Sequence, residues 1–295
     1  LLPGLTRRLI YFSILGNIMN WPSIIKKFVL PGFMRFGYMS LLWAVLAYIP
    51  IYFTDLGFNQ FEIGIFISIF PLASLVLMVP FGIFSDKLPP KWLAATSLIL
   101  FAVFLAGLRH TSEFRAFLFL FIIGGIGDSL FRISSTSLYY KTLGDTNKGK
   151  KLGFFMGLGL LGYGLGPLLG GYLLTNFDMD FLFLAVLVLL APVFILSFFL
   201  QDVKPIKFEL SHYKKDIANK EVLVLVARAF IVSLHLGVER TCFSLFLSEN
   251  IGLLSGSIGK MFCFIGITIA ILSIVSGYVS DRRIGKGKGL ASLFY

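Results

Sequence analysis

Ionisable side chains set inside long apolar runs mark where this sequence can do chemistry, because a charge held in lipid costs about 2.5–3.5 kcal/mol on insertion scales. Asp128 and Arg132 stand one helical turn apart within the apolar run 116–140, so they share a face and can neutralise each other. A second group lies in the run 222–248. There Arg228, His235 and Glu239 follow a heptad-like spacing that makes one polar stripe, while Arg240 points elsewhere. A carboxylate held out of water and a histidine, whose charge changes near neutrality, are groups that can load and release a proton. Glu239 and His235 are the first candidates for that task and Asp128 is the rival. The alternative is permanent pairing, of Asp128 with Arg132 or of Glu239 with Arg240 or Arg132, which would only specify packing.

The elements that must carry these groups follow from composition. The chain has 295 residues, 57% hydrophobic and 14% charged, with a mean hydropathy of +0.88. Soluble domains of average composition are closer to half apolar and a quarter charged. A soluble enzyme, a disordered chain and a disulfide scaffold are all excluded on that ground. Thirty glycines and 33 phenylalanines suit helices packed in lipid, where small residues let backbones approach. The expected fold is an all-α polytopic membrane protein. Apolar runs long enough to span predict about eight complete transmembrane helices near 35–54, 62–85, 92–109, 116–140, 152–175, 180–200, 222–248 and 258–280, with a ninth starting near Gly289.

Orientation follows from the basic residues. With the N-terminus inside, most Lys and Arg fall in inner segments, Arg35 among them, and the outer segments keep Arg109, Arg115 and Lys260. This bias predicts a cytoplasmic N-terminus, and the short loops lean towards the plasma (inner) membrane as the expected multi-pass location. It also explains the net charge of +11 through anionic headgroups, without nucleic acid. Cys242 and Cys263 sit in apolar runs and read as small buried hydrophobes. Asp178 and Asp180 read as a solvated outer turn. Residues 1–32 are an N-terminal segment without assigned function: an interfacial helix, a signal-like segment, or sequence upstream of the true start.

An internal repeat organises the rest. The segment from Asp55 to Gly64 is repeated from Asn250 to Gly259, and the segment from Gly82 to Lys87 is repeated from Gly277 to Arg282. Both pairs share an offset of 195 positions, so the chain holds two equivalent halves. The expected organisation is an N-terminal six-helix bundle over 33–201, an inter-bundle loop over 202–221, and a partial second bundle over 222–295. Completing that second half takes about 100 further residues by the same repeat.

Two motifs carry a family resemblance. Gly82, Asp86, Lys87 and Lys91 follow the second span, and Gly277, Asp281 and Arg282 stand at the equivalent place in the second half. In the fifth span Gly153, Gly162, Gly166-Pro167 and Gly170-Gly171 keep a fixed spacing. The first motif resembles the loop signature of the major facilitator superfamily, with Pro89 where that loop usually has Gly. The second is similar to the glycine-proline helix of that superfamily's antiporters. Physically, the Asp can accept bonds from the positive N-terminal end of a neighbouring helix, and Pro bends a helix that glycines seal tightly. The resemblance implies two six-helix bundles, here with the second incomplete, rocking about a midplane site. It implies that the loop stabilises the outward-open state, that Arg132 corresponds to a proton-transfer arginine, and that the first, fourth and seventh helices line the cavity. Ser40, Tyr48, Ser135, Tyr139 and Arg228 are then the candidate substrate contacts; the repeat matches Ser40 to His235 and Ala44 to Glu239.

The function expected is a secondary transporter exporting a small organic solute against protons, with Asp128, Arg132, His235 and Glu239 as coupling candidates. A proton-linked importer of a sugar or organic acid, or a non-transporting receptor or assembly factor on the same scaffold, are the alternatives. No catalytic set, phosphate-cradling loop or metal-ligand cluster stands in the sequence, so no enzyme, cofactor or metal is expected. The partners are then a small molecule, protons and the bilayer, and the expected state is a monomer.

Overall fold

The computed structural model describes residues 28–143, 147–200 and 242–283, with short pieces at 223–224, 227–228 and 230–231; the side chains of 79, 83–87 and 282–283 fall outside that description. The described helices are α1 (Leu30–Leu46), α2 (Ile49–Asp55), α3 (Gln60–Lys87), α4 (Pro90–His110), α5 (Phe114–Thr142), α6 (Lys148–Asn176), α7 (Met179–Ser197) and α8 (Ser255–Arg283), with a π-helical turn at Phe246–Asn250. Seven described segments are long and apolar enough to cross a membrane, α1 and α2 together making the first. Most of the expected span at 222–248, with His235, Glu239 and Arg240, lies outside the described residues.

Proline and glycine set the boundaries. Pro31 opens α1 and Pro90 opens α4, first-turn positions where a missing N–H costs nothing. The first span begins at Leu30, earlier than the expected 35, which moves Arg35 from an inner loop into the helix. It is also broken. Pro50 cannot donate to the turn before it, so the helix stops at Leu46 and restarts at Ile49, leaving Tyr48 at the joint. At the start of α3, Asn59 and Glu62 bond reciprocally, Asn59 N–H to Glu62 Oε2 at 2.9 Å and Glu62 N–H to Asn59 Oδ1 at 3.0 Å.

The repeat survives in three dimensions. Gly57 and its counterpart Gly252 both take a left-handed backbone, at φ 85° and 76°. Gln60 opens α3 and its counterpart Ser255 opens α8. A left-handed residue three positions before a long helix is a turn geometry that glycine adopts without steric cost.

Within the first half, α5 packs on α3 and α4, while α7 packs on α4 and α1. One end of this bundle is a cluster of rings. Phe53 meets Phe58, Phe66, Phe117 and Phe121 at centroid distances of 4.7–5.7 Å. Such pairs each add about 0.5–1.5 kcal/mol beyond area burial. That margin matters in lipid, where burial of apolar surface gives little. In the exposed outer turn Asp178 also caps α7 by accepting from Phe181 N–H at 2.8 Å, and Asp180 lies 3.9 Å from Arg109. Cys242 is exposed and Cys263 half-buried, so the thiols are free but not core.

Candidate functional site

Helix α6 is the spine of the site, because its glycines fall on two faces. On one, Gly162, Gly166 and Gly170 recur every four residues and meet the backbone of α1 at Phe36, Ser40 and Ala44 in the same order. On the other, Gly153, Gly157, Gly164 and Gly171 follow spacings of four and seven and meet α8. A Cβ at Gly153 would stand 2.8 Å from the Ser273 carbonyl, and one at Gly164 would stand 2.8 Å from Gly266 Cα. Neither face can hold a side chain, so α6 is pressed between the first half and α8 along its whole length.

The two ends of the α6–α8 seam are closed by opposite chemistry. Asn147, before α6, has a left-handed backbone and makes no side-chain cap. The orphaned amides of the first turn are bonded from the other helix instead: Gly149 and Lys150 both donate to the Asp281 carboxylate at 2.8 Å. At the far end Tyr48, buried at the joint of the first span, donates its hydroxyl to the Pro167 carbonyl at 2.7 Å, with the Ser255 carbonyl at 3.0 Å. Tyr48 reaches both because Gly171 and Gly259 have no side chain; a Cβ there would stand 2.5 and 2.9 Å from its oxygen. Three helices meet at that hydroxyl.

Buried charge lies between α1, α5 and α6. Arg132 donates through Nε to Asp128 Oδ2 at 2.7 Å, and Tyr38 donates to Asp128 Oδ1 at 3.4 Å. Asp128 is 3% exposed, and each of its oxygens accepts one of these two bonds. Arg35 joins the group from α1. Its Nη1 donates to Thr136 Oγ1 at 3.3 Å, and its guanidinium lies 4.8 Å from the centre of the Phe155 ring. Its Nε is buried without a hydrogen-bond partner. Two guanidiniums thus face one carboxylate.

The other expected residues are dispersed. Tyr139 is buried, donates to the Lys151 carbonyl at 2.7 Å and stacks on Phe155 at 4.1 Å. Ser135 donates to the Arg132 carbonyl at 3.3 Å and lines a small cleft with Pro31, Met34, Phe131 and Ser134. The Ser40 hydroxyl is buried without a hydrogen-bond partner, and its carbonyl abuts Gly166. Arg228 is half-buried. Gly82, Asp86 and Lys87 form the last turns of α3, and Lys91 the first turn of α4. Gly277 packs on Gly149 and Gly153, below Asp281; Arg282 follows in the last turn of α8. His235 and Glu239 lie outside the described residues. Arg35, Tyr38 and Thr136 were not among the expected site residues. Their signal is the spacing of three between Arg35 and Tyr38 and of four between Arg132 and Thr136, which puts each pair on one helical face.

The family model described as Major Facilitator Superfamily matches residues 32–294. The quinolone resistance protein NorA of Staphylococcus aureus is 27% identical over 217 residues, which is 70% of this chain and 55% of NorA. The uncharacterized MFS-type transporter MJ1560 of Methanocaldococcus jannaschii is 26% identical over 242 residues, 80% of this chain and 61% of that protein. The chain therefore spans little more than half the length of these relatives. Among solved structures, a bacterial homologue of the human lysosomal transporter Spinster, inward-facing and unoccupied, superimposes with a TM-score of 0.67 at 11% identity, covering 88% of this chain and 63% of that one. The human organic anion transporter MFSD10 gives 0.63 at 17% identity, covering 91% and 80%. These structures share the fold.

Proposed function

This chain belongs to the Major Facilitator Superfamily, and from that premise we propose that it serves a secondary transporter that exports a small organic solute in exchange for protons. The seven apolar spans among its described residues make it an integral multi-pass membrane protein. The observation that carries the transport reading is the α6–α8 seam, which is smooth with glycine through its length and fastened at each end by a few hydrogen bonds. A glycine-lined contact between two rigid halves can open at one end while the other stays shut, with little repacking of side chains. With the basic residues inside, the N-terminus and the Asp281 end face the cytoplasm, and the Tyr48 end faces outward.

Export is favoured by the likeness to NorA and by the glycine-proline helix. The coupling group best supported by geometry is Asp128 with Arg132. A proton on Asp128 removes the charge that holds Arg132, so the pair can exchange between a bonded and a released arrangement as water reaches it. His235 and Glu239 remain coupling candidates on sequence grounds. Ser40, Ser135 and Arg228 are the retained cavity candidates, whereas the hydroxyls of Tyr48 and Tyr139 are already committed to backbone carbonyls.

The test uses the full-length protein in cells stripped of their own efflux pumps, loaded with a lipophilic fluorescent dye. Dye accumulation is expected to fall, and a protonophore is expected to restore it. In Asp128→Asn the response to an imposed pH gradient is expected to drop by about tenfold or more, the scale of losing a paired buried charge. Pumping that ignores the protonophore, or survives unchanged when Asp128 and Glu239 are both neutralised, would refute proton coupling.

A further inference from the structure

The group at Arg35 holds more positive charge than the described residues balance. The charged side chains that act on Arg35 are Arg132, which repels it, and Asp128, which attracts it. Asp128 is already bonded by Arg132 Nε and by the Tyr38 hydroxyl, one on each oxygen. Arg35 itself is left with a neutral hydroxyl, Thr136 Oγ1, and the face of Phe155. A guanidinium has five N–H donors in a planar fork, and its Nε here is buried with no acceptor. Buried donors without acceptors are costly, and a surplus cation in a membrane bundle more so, unless something else supplies the negative charge.

The position is built to keep the guanidinium in one place. Phe155 lies against it and is backed in turn by the stacked ring of Tyr139 at 4.1 Å. Gly159 makes room on α6; a Cβ there would stand 2.6 Å from Nε. Arg35 is five residues into α1, about 8 Å along it, so it is not a headgroup anchor at the helix end. A fixed, planar, charged fork on an aromatic floor is suited to bidentate recognition of a carboxylate or sulfonate.

We propose that Arg35 is a specificity-determining residue that receives the anionic group of an organic-anion substrate, with Phe155 and Gly159 positioning its guanidinium. The assignment rests on the transport reading for the route the ligand takes, but binding tests it apart from transport. Substrates that carry a carboxylate or sulfonate are then accepted, and organic cations of the same size and shape are disfavoured by Arg35 together with Arg132.

Two xanthene dyes make a matched pair, fluorescein as the anion and rhodamine 123 as the cation. Binding of each to the purified full-length protein is followed by fluorescence anisotropy at pH 7.5, and export of each is followed in cells. Wild type is expected to bind fluorescein more tightly than rhodamine 123. Arg35→Gln is expected to weaken fluorescein binding about tenfold or more while leaving rhodamine 123 unchanged or improved. Arg35→Lys, which keeps the charge but not the fork, should fall between. Gly159→Ala, which displaces the guanidinium without removing it, should weaken fluorescein selectively; this variant guards against loss of fold in Arg35→Gln. Equal affinity of wild type for both dyes, or equal loss of both in Arg35→Gln, would overturn the proposal. So would fluorescein binding that emerges only in Glu239→Gln, because Arg35 would then be neutralised from within the chain. Arg35-dependent fluorescein binding without export of either dye would leave the assignment standing and remove the efflux reading. Export of rhodamine 123 without any fluorescein binding would do the reverse.

Discussion

The two ends of the α6–α8 seam solve one problem with different chemistry. At one end Asp281 offers a charged acceptor to two amides; at the other Tyr48 offers one neutral donor to two carbonyls. The backbone groups presented at each end dictate the choice. The first turn of α6 exposes N–H groups, which call for an acceptor, whereas at the other end the Pro167 and Ser255 carbonyls face the joint and call for a donor. Hydrogen bonds to a charged group contribute about 1.5–3 kcal/mol against about 0.5–1.5 for neutral ones. The Asp281 end is therefore the tighter fastening.

The largest effect is expected from blocking both ends alike. Leucine at Gly277 or at Gly171 would drive a side chain into backbone, Gly149 and Gly153 in the first case and Ser255 in the second. Backbone cannot turn aside as a flexible side chain can, and overpacking of a core typically costs about 1–3 kcal/mol or more. Both variants should show a melting temperature several degrees lower on size-exclusion profiles, with export lost. Gly64→Leu, where a Cβ would meet nothing within 4 Å, is the control and should behave as wild type. Equal tolerance at all three sites would mean that the seam is not closely packed.

How far this architecture was legible depends on whether its causes are local. The pairing of Asp128 with Arg132 follows from a spacing of four, and the equivalence of Gly57 with Gly252 follows from an offset of 195. Arg35 was hidden because counting apolar residues starts the first span at Arg35, whereas Pro31 starts the helix a full turn earlier. Tyr48 was visible as a polar group on a cavity-facing stripe. Its true engagement depends on Pro167, Ser255, Gly171 and Gly259, four positions in two distant helices that no local pattern relates to it.

A middle-sized effect isolates the charged end. Asp281→Asn keeps one acceptor oxygen, gives up the charge and turns an NH2 toward the second amide, which should cost about 2 kcal/mol or more and shift the closed-to-open ratio at that end by at least about tenfold. With Cys242 and Cys263 replaced by serine, Ser273→Cys reports on this end, since Ser273 faces Gly153, and Thr175→Cys reports on the other, since Thr175 faces Gly256. Maleimide should label position 273 faster in Asp281→Asn and leave position 175 unchanged or slower. Faster labelling at both positions would mean that the seam opens as one body, and the contrast between its ends would lose its meaning.

The smallest effect belongs to Tyr48→Phe, and it decides whether the neutral end is a fastening at all. The ring stays and its packing with it; the loss is one O–H shared between two carbonyls, about 0.5–1.5 kcal/mol. Labelling at position 175 should rise about twofold to tenfold while position 273 holds, the mirror image of Asp281→Asn. Raised salt sharpens the distinction, because the Debye length falls from about 10 Å at 0.1 M to about 3 Å at 1 M and a neutral bond has no charge to screen. Position 273 should therefore respond to salt in the parent protein, and the gain at position 175 in Tyr48→Phe should not. If Tyr48→Phe labels as the parent does at both positions, the hydroxyl merely satisfies carbonyls that water can serve equally well, and the seam is fastened by Asp281 alone.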